Sequence, residues 1–285
     1  MELTGTDIVT QLLTGIAAVL LLYIAMLMAE YLYKSFVHLW KERVELFPDT
    51  YVSGSKMYTA IQNPGSPKAK TVLLSDNQRS GVEFSYSMFI NINSATFSSG
   101  DSKLLHILHK GYSKMYPLLG PGIFCRGDIN TIRIYMNSYK TWNNFVEINN
   151  IPVDNWFHLT VSCKGNTVYI YVNGNLKQKL KMNDNTPPYQ NYGDIYLFSG
   201  RRNTVDQVKT PSLNQGDNAT RKILVFDAAA KGMVSRVYYY NYALSYSEIQ
   251  TLMNMGPSPK IVGANSAVMT TYLADTWWTN NVYTT

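Results

Sequence analysis

Charge and cysteine are both scarce in this chain. Charged residues make up 15% of its 285 residues, and cysteine occurs only at Cys125 and Cys163. Two cysteines without a Cys-x-x-Cys spacing exclude a zinc ribbon and a dense disulfide framework. Cys163 lies on the apolar phase of a strand pattern and reads as a buried thiol, while a bridge between the two stays open. Beyond residue 50 no two acidic residues stand closer than seven positions, the nearest pairs being Asp76/Glu83 and Glu147/Asp154. No single strand therefore presents two carboxylates side by side. Net charge is +6, yet the basic residues are scattered singly, which does not fit a nucleic-acid-binding profile. There is no P-loop, no Gly-x-Ser-x-Gly elbow and no internal repeat. His106 and His109 are three apart in a strand pattern, so they are expected on opposite faces and unable to share a metal. His158 reads as a structural or exposed strand residue. No metal or other cofactor is expected.

Against this scarcity stands one long apolar run. From Ile8 to Ala29 there are 22 residues without a charge. At about 1.5 Å per residue they make a rod of roughly 33 Å, enough to cross a bilayer's hydrocarbon core. Ile8, Leu12, Leu13, Ile16, Val19, Leu20, Leu22, Ile24 and Leu27 are its membrane-anchoring residues. The first seven residues hold Glu2 and Asp7 and no Lys or Arg. The run is also long for a signal peptide, so it reads as a retained anchor spanning residues 1–29. Lys34, Lys41 and Arg43 follow it, and the positive-inside bias puts the rest of the chain on the cytosolic side. The one sequon, Asn218-Ala219-Thr220, points weakly the other way.

Residues 30–50 read as an amphipathic helical stalk. Tyr33, Val37, Trp40, Val44 and Phe47 fall at helical spacing on one face, opposite Lys34, His38, Lys41, Glu42 and Glu45. Pro48 stops the pattern. Such a helix either stands out as a stalk against a partner or lies on the membrane or its own domain. Residues 51–79, with Gln62–Lys70 (QNPGSPKAK), read as a linker and a first extended segment.

From residue 80 to 259 the pattern is β. Val82, Phe84, Tyr86, Met88, Ile90 and Ile92 alternate with polar residues, as do Phe157, Leu159, Val161 and Cys163. Asn173-Gly174 marks a tight hairpin between strands at 167–172 and 175–182. Further strands are expected at 104–109, 130–136, 145–149, 194–199, 222–227 and 232–240. Strands of this length and spacing predict an antiparallel sandwich. Ser245-Tyr246-Ser247-Glu248 is a capping box, and Ile249, Leu252 and Met253 give the helix it opens a buried face ended by Gly256 and Pro257.

Two blocks carry a family resemblance. Asp154–Val161 with Gly165–Gly174 resembles the central hairpin of concanavalin A-like (laminin G-like) jelly-roll domains. Gly232–Val237 with Tyr240–Ser245 and the Glu248-Ile249 helix resembles their closing strand and helix. The resemblance covers residues 80–257 and implies a mainly β, concanavalin A-like antiparallel jelly roll behind the N-terminal transmembrane helix and stalk. The wording YYYNYALSYSEIQTLMNMGPSP, with QNYGDIYL, resembles versions from large double-stranded DNA viruses of eukaryotes. Membrane-anchored copies there lie between the internal membrane and the capsid. The resemblance thus implies a non-enzymatic minor capsid protein of the virion, with the lipid bilayer and major and other minor capsid proteins as partners.

Other readings are weaker. Relatives that hydrolyse β-glucans resemble one another in a Glu-x-Asp-x-x-Glu strand, which is missing here, so a glycoside hydrolase is not expected. A membrane-tethered lectin for host attachment is the main alternative. Asp128, Asn130, Asp184, Asn185, Tyr189 and Tyr192 lie in expected loops and are available to a glycan, or serve only to solvate turns. No acidic cluster suits calcium. Arg201 and Arg202, in a polar loop, and Trp277 and Trp278, in the tail 260–285, are candidate partner contacts; the tail aromatics equally suit covering the domain's own sheet.

Overall fold

The computed structural model describes residues 5–40, 42–54, 56–75, 81–97, 103–142, 144–182, 186–206 and 223–262. The chain divides into two compact units, residues 1–42 and 43–285.

The first unit is helix α1 (Gly5–Trp40), 36 residues long. Within it Val9–Leu32 is long and apolar enough to cross a membrane, a candidate span by length and composition. Leu12, Leu13, Ile16, Val19, Leu20, Leu22, Ile24 and Leu27 are all exposed along it, and Ile8 belongs to the same helix. The Thr14 hydroxyl donates back to the carbonyls of Thr10 and Gln11, so its polarity is satisfied inside the helix.

The second unit contains β1 (Arg43–Val52), β2 (Tyr58–Ala60), β3 (Glu83–Ile92), β4 (Leu104–Gly111), β5 (Leu119–Arg126), β6 (Ile132–Met136), β7 (Asn144–Ile148), β8 (Trp156–Lys164), β9 (Thr167–Val172), β10 (Asn175–Lys181), β11 (Asp194–Leu197), β12 (Asn203–Asp206), β13 (Ile223–Ala229), β14 (Gly232–Tyr240), α2 (Tyr246–Asn254) and β15 (Ile261–Val262). They form two sheets. One runs β10-β9-β8-β3-β14-β1-β15; the other runs β12-β13-β4-β5-β6-β7, with β11 pairing both β4 and β2. All neighbours are antiparallel except β1/β15 and β13/β4. The sandwich expected from the alternation is therefore present.

The expected helical stalk is shorter than residues 30–50. Tyr33, Val37 and Trp40 belong to α1, but Val44 and Phe47 lie on β1. Arg43–Val52 pairs with β14 along its length, and Leu46 and Phe47 are buried in the core between the sheets. This packing overrides the helical spacing of two residues, because burial of large apolar side chains outweighs local propensity. Pro48 falls at a register irregularity between Phe47 and Thr50, where a missing N–H is tolerated. The linker expectation also changes. β2 pairs with β11, and the loop after it folds around Gln62. The Gln62 side chain donates to the carbonyls of Ala60 and Lys70 and accepts from the N–H of Val72. Residues 62–70 join parts of the sandwich and are not a spacer in front of it.

Between the sheets lies the main core, including Phe84, Met88, Phe157 and Leu159 from one side and Ile107, Ile123, Ile134 and Ile195 from the other. Cys125 and Cys163 are both buried and free, and burial pushes each thiol up to about 12. A second cluster, with Phe124, Tyr135, Trp142 and Phe226, covers the opposite face of the β4–β5–β6 sheet. A third seats α2 on Tyr238 and Tyr240 of β14. The capping box that starts α2 is formed as expected, with Ser245 and Glu248 each satisfying the other's backbone N–H.

The β9–β10 hairpin turns at Asn173 and Gly174, with φ of 48° and 74°. Left-handed residues at both central positions match the right-handed twist of the strands. A Cβ on Gly174 would also lie 2.2 Å from Gln250 Nε2 of α2. Gly174→Ala is therefore expected to cost about 2 kcal/mol, the left-handed penalty plus displacement of Gln250. Urea unfolding checks this, and an unchanged midpoint would mean that α2 does not rest on the turn.

Candidate functional site

At the end of β4 the chain opens a cleft of about 660 Å³. It lies among the loop after β2, the residues that follow β4 and the turn before β11. Two glycines allow that close approach. A Cβ on Gly193 would lie 2.5 Å from Gly111 O, and one on Gly111 would lie 2.0 Å from Leu118 O. Asn191, fully buried, ties the turn down: its amide donates to the carbonyls of Lys110 and Gly120, and its oxygen accepts from the N–H of Gly193.

The cleft combines buried polar groups with exposed rings. Lys110 is only 3% exposed, and its amine donates to Gly193 O at 2.6 Å. Burial lowers this amine to about 8, while the Asp194 charge acts in the opposite sense. Asp194 Oδ1 accepts from the N–H of Gln62 at 2.8 Å. At the rim Tyr112 and Tyr192 are 56% and 76% exposed. Flat aromatic faces beside donors and acceptors suit contact with a partner's polar or ring-bearing groups.

Behind the cleft wall lies a histidine pair that the sequence spacing placed on opposite faces. The register of β4 against β5 shifts between His106 and Leu108, a bulge that returns His109 to the face of His106. Ser199 N–H donates to His106 Nδ1 at 2.8 Å, and His106 Nε2 meets His109 Nδ1 at 2.6 Å. His109 Nε2 in turn meets Tyr112 O at 2.9 Å. An amide must donate and a carbonyl must accept, so the direction is fixed. His106 Nε2–H donates to His109 Nδ1, and His109 Nε2–H donates to Tyr112 O. The His109 ring stacks on Tyr196, which also lines the cleft. Burial holds His106 well below the usual imidazole value and His109 at about 4.

Other sequence candidates are dispersed. His158 is fully buried, and its Nε2 lies 2.8 Å from Ser87 Oγ on the far sheet. Arg202 pairs with Asp227 at 2.6 Å, and Arg201 is exposed beside it. Trp277, Trp278, Asp184 and Asn185 lie outside the described residues. Asp128 pairs with Arg126, Asn130 donates to Ile151 O, and Tyr189 packs edge-on against Tyr139. Of the described loop residues offered to a glycan, only Tyr192 lines the cleft. Lys110, Asn191 and Asp194 carried no motif; only the Asn-x-Gly turn Asn191–Gly193 hinted at a close backbone approach.

Among the described residues, several carboxylates of the sandwich are engaged in structural contacts. Asp49 pairs with Lys260, Glu147 with Arg133, and Glu248 closes the capping box. Asp154 accepts from the N–H of Ser94. Among the described residues no three His, Cys, Asp or Glu side chains converge as a metal site, so these donors do not form the oxygen cage calcium requires.

No curated protein sequence matches the chain. Among solved structures it resembles the receptor-binding domain of botulinum neurotoxin D (12% identity, TM-score 0.47, 75% of this chain and 48% of that one). The receptor-binding domain of botulinum neurotoxin type G is similar at 13% identity and TM-score 0.42, covering 75% of this chain and 46% of that one. The binding domain of botulinum neurotoxin DC, solved in complex with rat synaptotagmin II, gives 17% identity and TM-score 0.39, with 61% of this chain and 35% of that one covered. The chain thus spans half or less of each of these structures. A family model described as the concanavalin A-like lectin/glucanases superfamily matches residues 66–250. That range runs from the Gln62 loop through both sheets into α2, and the chain belongs to the concanavalin A-like lectin/glucanases superfamily.

Proposed function

We propose that the protein is a non-enzymatic structural component: α1 sits in a lipid bilayer, and the sandwich holds other proteins by surface contact. In its specific form the reading is a minor capsid protein that fastens a virion's shell to the internal membrane, with the sandwich facing the shell. The carrying observation is the direct fusion of a candidate membrane span to a sandwich that begins at Arg43. The commitment of Asp49, Asp128, Asp154, Asp227, Glu147 and Glu248 to ion pairs and backbone N–H groups adds support, because a retaining glycosidase needs two carboxyl groups about 5–5.5 Å apart and free to react. The similarity of residues 238–259 to membrane-anchored viral copies supplies the virion assignment.

In intact particles carrying the chain, lysine cross-linking should join the sandwich to shell proteins, and external protease should leave it whole. Cleavage of the sandwich by external protease would overturn this reading.

The cleft favours one other reading, a membrane-tethered glycan-binding module, because Tyr112 and Tyr192 stand exposed beside buried polar groups. On that reading the Tyr112→Ala/Tyr192→Ala double variant loses at least about tenfold in glycan affinity, roughly 1.4 kcal/mol. Both side chains are exposed, so stability should change by no more than about 1 kcal/mol. On the structural reading the unsubstituted chain gives no glycan-array signal.

A further inference from the structure

We propose that the His106–His109 pair is an acid-opened latch on the segment Tyr112–Leu118, and that its release bares the aromatic face of the β4–β5–β6 sheet. The proposal is independent of whether the partner is a capsid protein or a glycan.

Three segments meet at the pair. His106 and His109 project from β4, Ser199 follows β11, and Tyr112 opens the segment that crosses the sheet. Tyr112 O accepts from His109 Nε2–H and also from Met115 N–H at 2.8 Å, so one carbonyl fixes both the latch and the first turn of the segment. Beyond it Met115 is fully buried over Phe124, Tyr135, Trp142 and Phe226, and Tyr116 packs edge-on against Trp142. Asn137 and Asn203 hold the same segment through the carbonyls of Pro117 and Lys114. None of these other ties titrates in the physiological range.

The latch does. All four ring nitrogens are already used, in one direction. An added proton must go on His106 Nδ1, facing the Ser199 N–H, or on His109 Nδ1, facing the His106 N–H. Either way two donors oppose each other, and an imidazolium sits buried without a counter-charge. The groups around the pair supply none. Tyr196 of β11 stacks on His109, and Phe124 of β5 packs on His106. From β13 comes Ala229, paired with His106. Lys110, next on the strand, turns its amine to Gly193 O with Asp194 beyond, and Arg201 acts on Tyr196. Neither ring feels a carboxylate among the described residues.

The opened segment exposes ordinary imidazoles, which take up protons below about pH 6.5. Well below that pH each ring favours opening by about tenfold per pH unit, so two rings favour it by up to about a thousandfold between pH 7.5 and 5.

Hydrogen exchange of the full chain in detergent micelles, corrected for the intrinsic pH dependence of exchange, tests this. Between pH 7.5 and 5, amides of 112–118 should lose protection by up to about a thousandfold, and at each pH they should exchange faster than amides of β3 and β8, which await global unfolding. His106→Gln/His109→Gln keeps an acceptor and a donor in the same order without titrating, so it should abolish that extra loss. Unchanged protection at pH 5, protection of 112–118 equal to that of β3 and β8 at every pH, or the same loss in the double Gln variant would overturn the proposal. If that variant does not fold, nitrogen-15 spectra of the wild-type histidines decide. Both Nδ1 atoms should be acceptors, with no titration above pH 5 while the segment is closed. Titration near 6.5 with the segment still protected would overturn it.

Discussion

Deleting residues 1–42 is expected to free the sandwich from membranes and leave it folded, whereas deleting residues 1–47 is expected to unfold it. The five residues between the two cuts are Arg43–Phe47, the first half of β1. Leu46 and Phe47 lie at 0% and 4% exposure in the inter-sheet core. Losing core side chains of this size costs about 2–5 kcal/mol each, and half of the β1–β14 ladder goes with them. A loss of roughly 5–10 kcal/mol is comparable to the whole folding free energy of a domain. Flotation on sucrose gradients and thermal unfolding separate the outcomes. The shorter deletion should not float with membranes, and its midpoint should stay within about 4 °C of the micelle-bound full chain. Flotation of the shorter deletion would contradict the anchor; a folded longer deletion would contradict the role of β1.

The second large effect is acid sensitivity. His109 and His158 both sit at about 4 in the folded chain, and His106 is displaced in the same direction. Each is buried, so desolvation of the charged form is the main cause. Unfolded, they bind protons near 6.5, so between 6.5 and 4 the unfolded chain holds more protons than the folded one. Stability is therefore full above about pH 6.5 and falls as pH drops towards 4. At pH 5 the loss is on the order of 2 kcal/mol for each of His109 and His158, with His106 adding in the same direction, before most carboxylates titrate. Urea midpoints at pH 7.5, 6 and 5 should fall accordingly. His158→Gln, far from the His106 pair, should flatten the slope by one proton. A level profile from 7.5 to 5 would show that these rings are hydrated in the folded chain.

Much of the fold was legible where one face of a strand is buried and the other is polar. The alternation of 82–92 became β3, Asn173-Gly174 became the hairpin turn, and Ser245–Glu248 became the cap of α2. What stayed hidden depends on long-range pairing. β1 carries apolar residues at helical spacing, and only its ladder with β14 decides the matter. β5 reads as Leu-Gly-Pro-Gly and suggests a loop, yet its pairing with β4 and β6 extends it. The histidine pair needed a bulge, which one extra residue creates without any composition signal. The cleft is harder still to foresee. Lys110 comes from a strand end, Asn191 from a turn and Asp194 from the start of β11 more than eighty positions later, and nothing local links them.

The position of β1 also bears on mechanics. β1 is bonded to β14 along its length on one side and to β15 only through Thr50 and Tyr51 on the other. A pull on Arg43 along the strand axis thus loads the ladder with β14 in shear, many hydrogen bonds together rather than one after another. With α1 held in a bilayer, as proposed, traction would reach the module through that single ladder.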